Sequence, residues 1–215
     1  GKAAEDRPEQ ATYATDAGLA FLPKEHPERP QAIIAEAGTG VGKTLGYIAP
    51  ASVWAEKNEA PVWISTFTRN LQRQLDRELD KLYPDPKTKA LRAVIRKGRE
   101  NYMCLLNFED AIAQSRGLDR VTLGLTARWI TATRDGDMVG GDFPAWLGDL
   151  LGRRRTIDLT DTRGECIYSA CQHYGRCFIE KSVRRARRAR LVVANHAVVM
   201  VQLALGGEGE GPTRY

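Results

Sequence analysis

This sequence has no long apolar run, and it has few cysteines. No stretch approaches the roughly 18 consecutive apolar residues that a membrane-spanning helix needs, and the first residues lack the pattern of a secretory signal peptide. We also find no low-complexity tract and no repeat with a period of about 20 to 50 residues. These absences predict a globular, cytoplasmic protein that does not associate with a membrane, and we separately expect a monomer.

The cysteines are four in number and are grouped unevenly, with the spacing C-x61-C-x4-C-x5-C. In a cytoplasmic protein such a set more often binds a metal than forms disulfides. Zinc sites favour paired C-x2-4-C knuckles, whereas an iron–sulfur cluster accepts wider spacing. His173 keeps a Cys/His zinc site open, and free or disulfide-bonded cysteines are a third alternative. The candidate ligands of a [4Fe–4S] cluster are Cys104, Cys166, Cys171 and Cys177.

Composition and length set broader limits. The 215 residues are 42% hydrophobic and 27% charged, which suits one domain or one and a half with a proper core. The formal net charge of +5 permits a polyanionic partner but does not require one.

Hydrophobic patterning predicts an α/β protein. Residues 13–22 have a short helical pattern, and residues 31–36, 60–66, 91–96 and 191–194 have strand patterns. Leucines at helical spacing predict an amphipathic helix over about residues 68–83, and a kink or break is expected at Pro50 in the preceding helix. The alternation fails between about residues 97 and 178, so this stretch is interpreted as a mainly helical insertion into a parallel sheet.

A glycine-rich loop follows the first predicted strand. Its backbone N–H groups, at the start of a helix, are suited to hold phosphates, while Lys43 reaches the β/γ oxygens and Thr44 offers a hydroxyl to Mg²⁺. The pattern G-x-x-x-x-G-K-[ST] holds except that Ala37 replaces the first glycine. A chance glycine-rich turn is the alternative. The loop comprises Ala37, Gly38, Thr39, Gly40, Val41, Gly42, Lys43 and Thr44.

An arginine-rich segment at residues 184–190 has two interpretations. It could bind phosphates, or Val183, Ala186 and Ala189 could pack inward and leave the arginines solvated. We favour the packing interpretation. His196 is interpreted as a structural hydrogen-bonding residue at the end of a strand.

Several of these motifs resemble those of the iron–sulfur DNA helicases of superfamily 2, of the DinG and XPD type and more closely DinG. Residues 36–44 match the family's E-A-G-T-G-x-G-K-T loop, and residues 7–10 resemble its Q-motif. Residues 64–68 with 71–75 resemble motif Ia, and residues 97–104 resemble the entry to the cluster domain. Residues 193–197 resemble the strand that precedes the Walker B carboxylates.

The resemblance implies a RecA-like P-loop NTPase domain at residues 1–97 and 181–215, with an iron–sulfur domain inserted at 98–180. It implies that Gln10, with Arg7, contacts adenine and that Thr66 and Thr68 hold phosphates of the tracking DNA strand. The implied cofactors are ATP, Mg²⁺ and a [4Fe–4S] cluster. The implied partners are single-stranded and forked duplex DNA, unwound 5′→3′ in the full-length protein.

The family's next motif is a DEAH-like box, and no Asp-Glu pair follows Asn195. We therefore expect the chain to be the N-terminal part of a longer helicase. Two rivals stay open. One is an iron–sulfur nuclease using acidic residues such as Asp158, Asp161 and Glu165, and the other is a nucleotide-gated redox sensor that binds DNA without unwinding it.

Overall fold

A computed structural model describes residues 7–24, 26, 28–161 and 166–206, apart from the side chains of residue 69 and residues 202–206. The chain divides into two units. The first contains the described residues of Gly1–Ile95 and Arg188–Val199, and the second contains those of Arg96–Arg187 and Met200–Tyr215. No helix in the described ranges combines the length and the hydropathy that crossing a membrane requires.

The first unit is a mixed α/β structure with a small sheet in the order β1-β3-β2. β1 and β3 are parallel, and their register pairs Val62 with Leu191 and Thr66 with Asn195. Its elements are α1 (Pro8–Gly18), a 3-10 turn (Leu19–Phe21), α2 (Lys43–Asn58), β1 (Val62–Thr66), α3 (Arg69–Leu82), α4 (Pro86–Arg92) and β2 (Ala93–Arg96). Late in the chain it adds β3 (Leu191–Asn195) and the start of α9 (His196–Gly206).

The core of this unit explains why α3 forms where the leucine spacing predicts. Leu75 and Leu79 are fully buried, while Leu71 and Leu82 pack against the same cluster from its edge. Thr68 caps the helix because its hydroxyl oxygen accepts a hydrogen bond from the backbone N–H of Leu71 at 3.2 Å. The predicted parallel α/β sheet is therefore present, with β3 contributing an almost wholly buried strand.

One local prediction is wrong and another is contradicted in part. Residues 31–36 have no regular structure, and Ile34 is 100% exposed, so the apolar pair there is not buried as a strand would require. Of the kink or break expected at Pro50, the break does not occur, since α2 continues to Asn58. Pro50 removes one N–H donor from the helix, and the surrounding turns of α2, which bury Ile48, Ala51 and Ala55, keep their packing.

The second unit is mainly helical. It contains α5 (Leu105–Gln114), α6 (Leu118–Ala132), α7 (Ala145–Asp158), which bends at Gly152, and α8 (Phe178–Arg188). Short 3-10 turns lie at Arg99–Asn101, Tyr168–Ala170 and Tyr174–Arg176. Its core includes Tyr102, Met103, Leu123, Trp129, Leu147, Leu159, Phe178 and Ile179, and Cys177 packs against that core.

A glycine-rich loop at residues 134–142 is hydrogen-bonded to the segment at the start of this unit. Met103 N donates to Gly136 O at 2.9 Å, and Met138 N donates to Asn101 O at 2.8 Å. Within the loop, the buried carboxylate of Asp137 forms an ion pair with Lys97. Lys97 Nζ also donates to Val139 O at 3.0 Å. The loop is thus held by polar bonds to the segment that leads into Cys104.

On α8, the arginine-rich helix, Ala186 is buried, as is Ala189 just beyond its end, while Arg185, Arg187 and Arg188 are exposed. Ala186 and Ala189 therefore pack inward as expected, but Arg184 and Arg190 are half-buried and not fully solvated.

Candidate phosphate-binding site and thiol cluster

The glycine-rich loop leads directly into α2. Gly40 and Gly42 have φ of +86° and +83°, in the left-handed region that residues with a side chain rarely adopt. Gly42 is also the residue that precedes the first turn of α2, so the helix starts as the loop ends. Gly38, Thr39 and Gly40 are exposed, whereas Ala37 and residues 41–44 are half-buried. The loop therefore offers an open mouth backed by the N-terminus of a 16-residue helix.

Lys43 closes this loop on itself. Its ammonium group donates to Ala37 O at 2.8 Å and to Gly38 O at 2.7 Å. The cation is thus held at the loop by weak carbonyl partners. An anion at the loop would offer Lys43 a stronger, charge-assisted partner than these carbonyls.

Gln10 is brought to the loop by the packing of α1 on α2. Its side-chain amide donates to Gly42 O at 2.8 Å, across 32 residues of sequence. Along the two helices, Gln10 faces Gly42, Tyr13 faces Gly46 and Gly18 faces Pro50, so the helices run in the same direction. A side chain at Gly42 or Gly46 would collide with Gln10 or Tyr13, so these glycines allow the close approach. Arg7, the other residue predicted at adenine, immediately precedes α1.

Thr44 is engaged within α2. Burial raises the pKa of Tyr47, and a hydrogen bond from the Thr44 side chain offsets part of that rise. Donating this hydrogen bond uses the Thr44 proton and leaves the lone pairs of its oxygen for a metal ion.

The two threonines predicted to hold DNA phosphates lie at the end of β1. Thr66 is 1% exposed, and its hydroxyl donates to Ala194 O of β3 at 3.3 Å. Thr68 is exposed and uses its oxygen to cap α3. Thr66 therefore presents no hydroxyl to solvent in this conformation, and Thr68 retains only its own O–H as a donor.

Three exposed side chains at the same strand ends were given no binding role from the sequence. Ser65 Oγ is hydrogen-bonded to His196 Nδ1, which fits the structural role expected for His196. The ring of Phe67 lies against that of His196, with centroids 6.0 Å apart and planes inclined by 40°. These residues lie together because β1 and β3 are parallel, with Thr66 beside Asn195. A prediction of that strand pairing from the sequence would have identified them.

In the second unit, all four cysteines are half-buried and free of disulfides. Cys104 immediately precedes α5. Burial raises the pKa of the Cys104 thiol, backbone N–H groups of Asn107 and Leu106 lower it in part, and nearby Asp161 and Cys177 raise it further. Cys104 and Cys177 are thus close enough to influence each other electrostatically.

Glu109 fastens the segment that carries two of the cysteines to α5. Its carboxylate accepts hydrogen bonds from Gln172 Nε2 at 2.5 Å and binds His173 Nε2 at 2.9 Å. Cys171 immediately precedes this pair of residues. His173 is therefore partnered to a carboxylate, which weakens the Cys/His zinc alternative.

Arg99 connects the entry segment to the neighbourhood of Cys166. Its Nε donates to the buried carboxylate of Asp161 at 2.7 Å, and its guanidinium lies 5.0 Å from the centre of the Tyr168 ring. Asp161 is thereby neutralised by an arginine. Glu165, another acidic residue considered for a nuclease, lies outside the described residues.

The donor chemistry fits an iron–sulfur cluster: four unpaired thiols, partly shielded from water, within one helical unit. Across residues 7–161 and 166–206, with the gaps noted above, no three His, Cys, Asp or Glu side chains are already gathered at metal-binding distance. The thiols are thus suitable in kind, and their convergence on one cluster remains a prediction.

No protein-family model matches the chain. The ATP-dependent DNA helicase YoaA of Haemophilus influenzae is 32% identical over 95% of this chain and 30% of its own length. The ATP-dependent helicase DinG of Mycobacterium tuberculosis is 33% identical over 89% of this chain and 30% of its own length. The 3′-5′ exonuclease DinG of Bacillus subtilis is 32% identical over 91% of this chain and 20% of its own length.

The chain therefore spans less than a third of the length of these curated relatives. Their similarity over most of the chain supports a helicase family. Because these relatives are named DinG or YoaA, the similarity supports a helicase family of the DinG type.

Proposed function

We propose that this chain is the N-terminal motor part of an ATP-dependent DNA helicase of the DinG type. Residues 1–97 and 181–215 would form a RecA-like domain that binds ATP and Mg²⁺, and residues 98–180 an inserted iron–sulfur domain. The observation that carries the proposal is the loop at residues 37–44, in which two left-handed glycines lead to a helix N-terminus and Lys43 donates to the loop carbonyls of Ala37 and Gly38.

The loop residues have distinct roles in this proposal. Backbone N–H groups of residues 38–44 receive the phosphates, and Lys43 exchanges its carbonyl partners for β/γ-phosphate oxygens. Thr44 supplies the hydroxyl for Mg²⁺, and Gln10, which already touches the loop, contacts adenine at its mouth. Thr68, and Thr66 after a local rearrangement, would hold the phosphates of single-stranded DNA next to a forked duplex, with movement 5′→3′.

The four cysteines would hold a [4Fe–4S] cluster as thiolates, and this cluster would fix the fold of the second unit. The cluster would supply structural rigidity, because metal–thiolate bonds would tie Cys104 at α5 to the segment around Cys171 and Cys177. Glu109 and Arg99 already bring parts of these segments together.

The test of the nucleotide site is Lys43→Ala, with Lys57→Ala as the matched control because Lys57 is an exposed lysine of the same helix. Affinity for a fluorescent ATP analogue should fall by about 10- to 150-fold in Lys43→Ala, since a hydrogen bond to a charged group contributes about 1.5–3 kcal/mol. Lys57→Ala should bind as the wild type does. Equal affinities in all three proteins would refute the site.

The nuclease alternative is raised by the name of the Bacillus subtilis relative, of which the chain covers 20%. Asp161, ion-paired to Arg99, gives it no support. A redox-sensing DNA-binding protein would also bind ATP and DNA, so binding alone does not distinguish it from a helicase. DNA-stimulated ATP hydrolysis and strand separation by the full-length protein would favour the helicase, and DNA binding without either would favour the sensor.

A further inference from the structure

Phe67 is an exposed aromatic residue held in a rigid setting. Its side chain is 83% exposed, although the residue before it is buried and the residue after it caps a helix. The Thr66 hydroxyl bonds across to β3, and the Thr68 hydroxyl oxygen binds the first turn of α3. Phe67 is therefore presented to solvent by backbone that is fixed on both sides. Little backbone conformational entropy remains to be lost when the ring binds a ligand.

The surroundings of Phe67 are polar. His196 lies beside its ring, Ser65 is hydrogen-bonded to His196, and all three residues are exposed. They sit at the carboxyl ends of two adjacent parallel strands, the edge at which open α/β sheets bind ligands. A wide apolar patch would suit a protein partner, whereas a single planar ring among hydroxyl and imidazole groups suits a planar ligand with polar edges.

We propose that Phe67, supported by His196, is a stacking contact for an unpaired base of a single-stranded nucleic acid. The proposal rests on the proposed helicase function and deepens it, because it assigns a base contact beside the threonines predicted to hold phosphates. Stacking on an aromatic ring tolerates any sequence, since every base has a π face, and this suits a motor that tracks along arbitrary DNA.

The test measures the affinity of the protein for a fluorescently labelled single-stranded oligonucleotide by anisotropy. Phe67→Ala should weaken binding by about 5- to 150-fold, the range expected for the loss of one base–aromatic stack. Phe67→Trp should retain the affinity and Phe67→Leu should lose most of it, because a stack needs a flat ring rather than apolar bulk. Leu91→Ala, which removes an exposed apolar side chain from α4 of the same unit, should change nothing.

A second measurement uses an oligonucleotide in which every position is abasic. The wild type and Phe67→Ala should bind it equally weakly, because the stack is then missing in either protein whatever the register of binding. If Phe67→Leu binds the normal oligonucleotide as tightly as the wild type, or if Phe67→Ala loses the same factor on the abasic oligonucleotide, the stack is refuted.

Two further outcomes separate this proposal from the function on which it rests. A wild-type protein that does not bind single-stranded DNA overturns both. Wild-type affinity for DNA in Phe67→Ala, with ATP-analogue affinity intact, overturns the stack alone and leaves the proposed helicase function standing.

Discussion

The ion pair of Lys97 and Asp137 should be the most pH-sensitive contact of the second unit. The Asp137 side chain is 7% exposed and that of Lys97 is 23% exposed. Lys97→Met keeps most of the length and the apolar stem of the lysine but leaves Asp137 without its cation. Because removing one partner of a buried pair leaves an uncompensated charge, the free energy of unfolding should fall by about 3–5 kcal/mol near neutral pH.

The pH dependence follows from the direction of the pKa shift. Burial raises the pKa of Asp137, while Lys97 and the N–H of Val139 offset part of the rise. A carboxyl whose folded pKa lies above its unfolded value of 3.8 stabilises the fold most at low pH, and this contribution is lost as pH rises through the folded pKa. Without Lys97 the folded pKa rises further, so the loss in Lys97→Met should shrink as the pH is lowered.

Urea denaturation of the two proteins between about pH 8 and about pH 5 would measure this. Adding Asp137→Asn should restore much of the stability, since the neutral amide can still accept the hydrogen bond from Val139 N at 2.8 Å. The control is Asp119→Asn, which breaks a more exposed pair with Arg155 and should cost less than about 1 kcal/mol. A loss in Lys97→Met that is constant with pH, or that Asp137→Asn does not relieve, would refute the reasoning.

Two further predictions concern the two units separately. Replacing any one cysteine by serine should lower the iron content from about four per chain in anaerobically purified protein, and should expose residues 98–180 to limited proteolysis while ATP-analogue affinity stays unchanged; unchanged iron would contradict the ligand assignment. Gly46→Ala should cost about 1–3 kcal/mol of unfolding free energy because its Cβ would lie 2.6 Å from the Tyr13 ring, and Tyr13→Ala should relieve the clash. Gly124→Ala, a helical glycine with nothing within 4 Å of the added carbon, should be neutral or slightly stabilising in the same assay.

The strongly periodic parts of the first unit were predictable from the sequence. Leu75 and Leu79 specify one face of α3, and the run from Leu191 to Ala194 is apolar enough to read as a buried strand. Residues 31–36 have an equally apolar centre, yet they form no strand, because a strand also needs a hydrogen-bonded neighbour and burial that a local pattern does not report. At Pro50 a possible break was predicted where the helix in fact continues, because packing of α2 on both sides outweighs one lost hydrogen bond.

The candidate site was predictable only where a motif names the residue. Gly42 and Lys43 could be placed at the loop from their spacing, but the bond between Gln10 and Gly42 depends on how α1 packs on α2. The alternation of side chains along β1 is a local pattern and buries Thr66. The bond from Thr66 to Ala194 joins residues 128 positions apart, which no local pattern reports.

The packing register of α1 on α2 fixes the distance between Gln10 and the phosphate loop of the proposed nucleotide site. Gln10 touches the loop because the helices meet at intervals of about one turn, and a slip of one turn would carry its amide about 5 Å along the axis. The distance between the Gln10 amide, which we propose contacts the base, and the phosphate loop is therefore set by the packing of α1 on α2. A ligand whose base and phosphates are separated by a longer or shorter tether than in a nucleotide would reach one end of the site and miss the other.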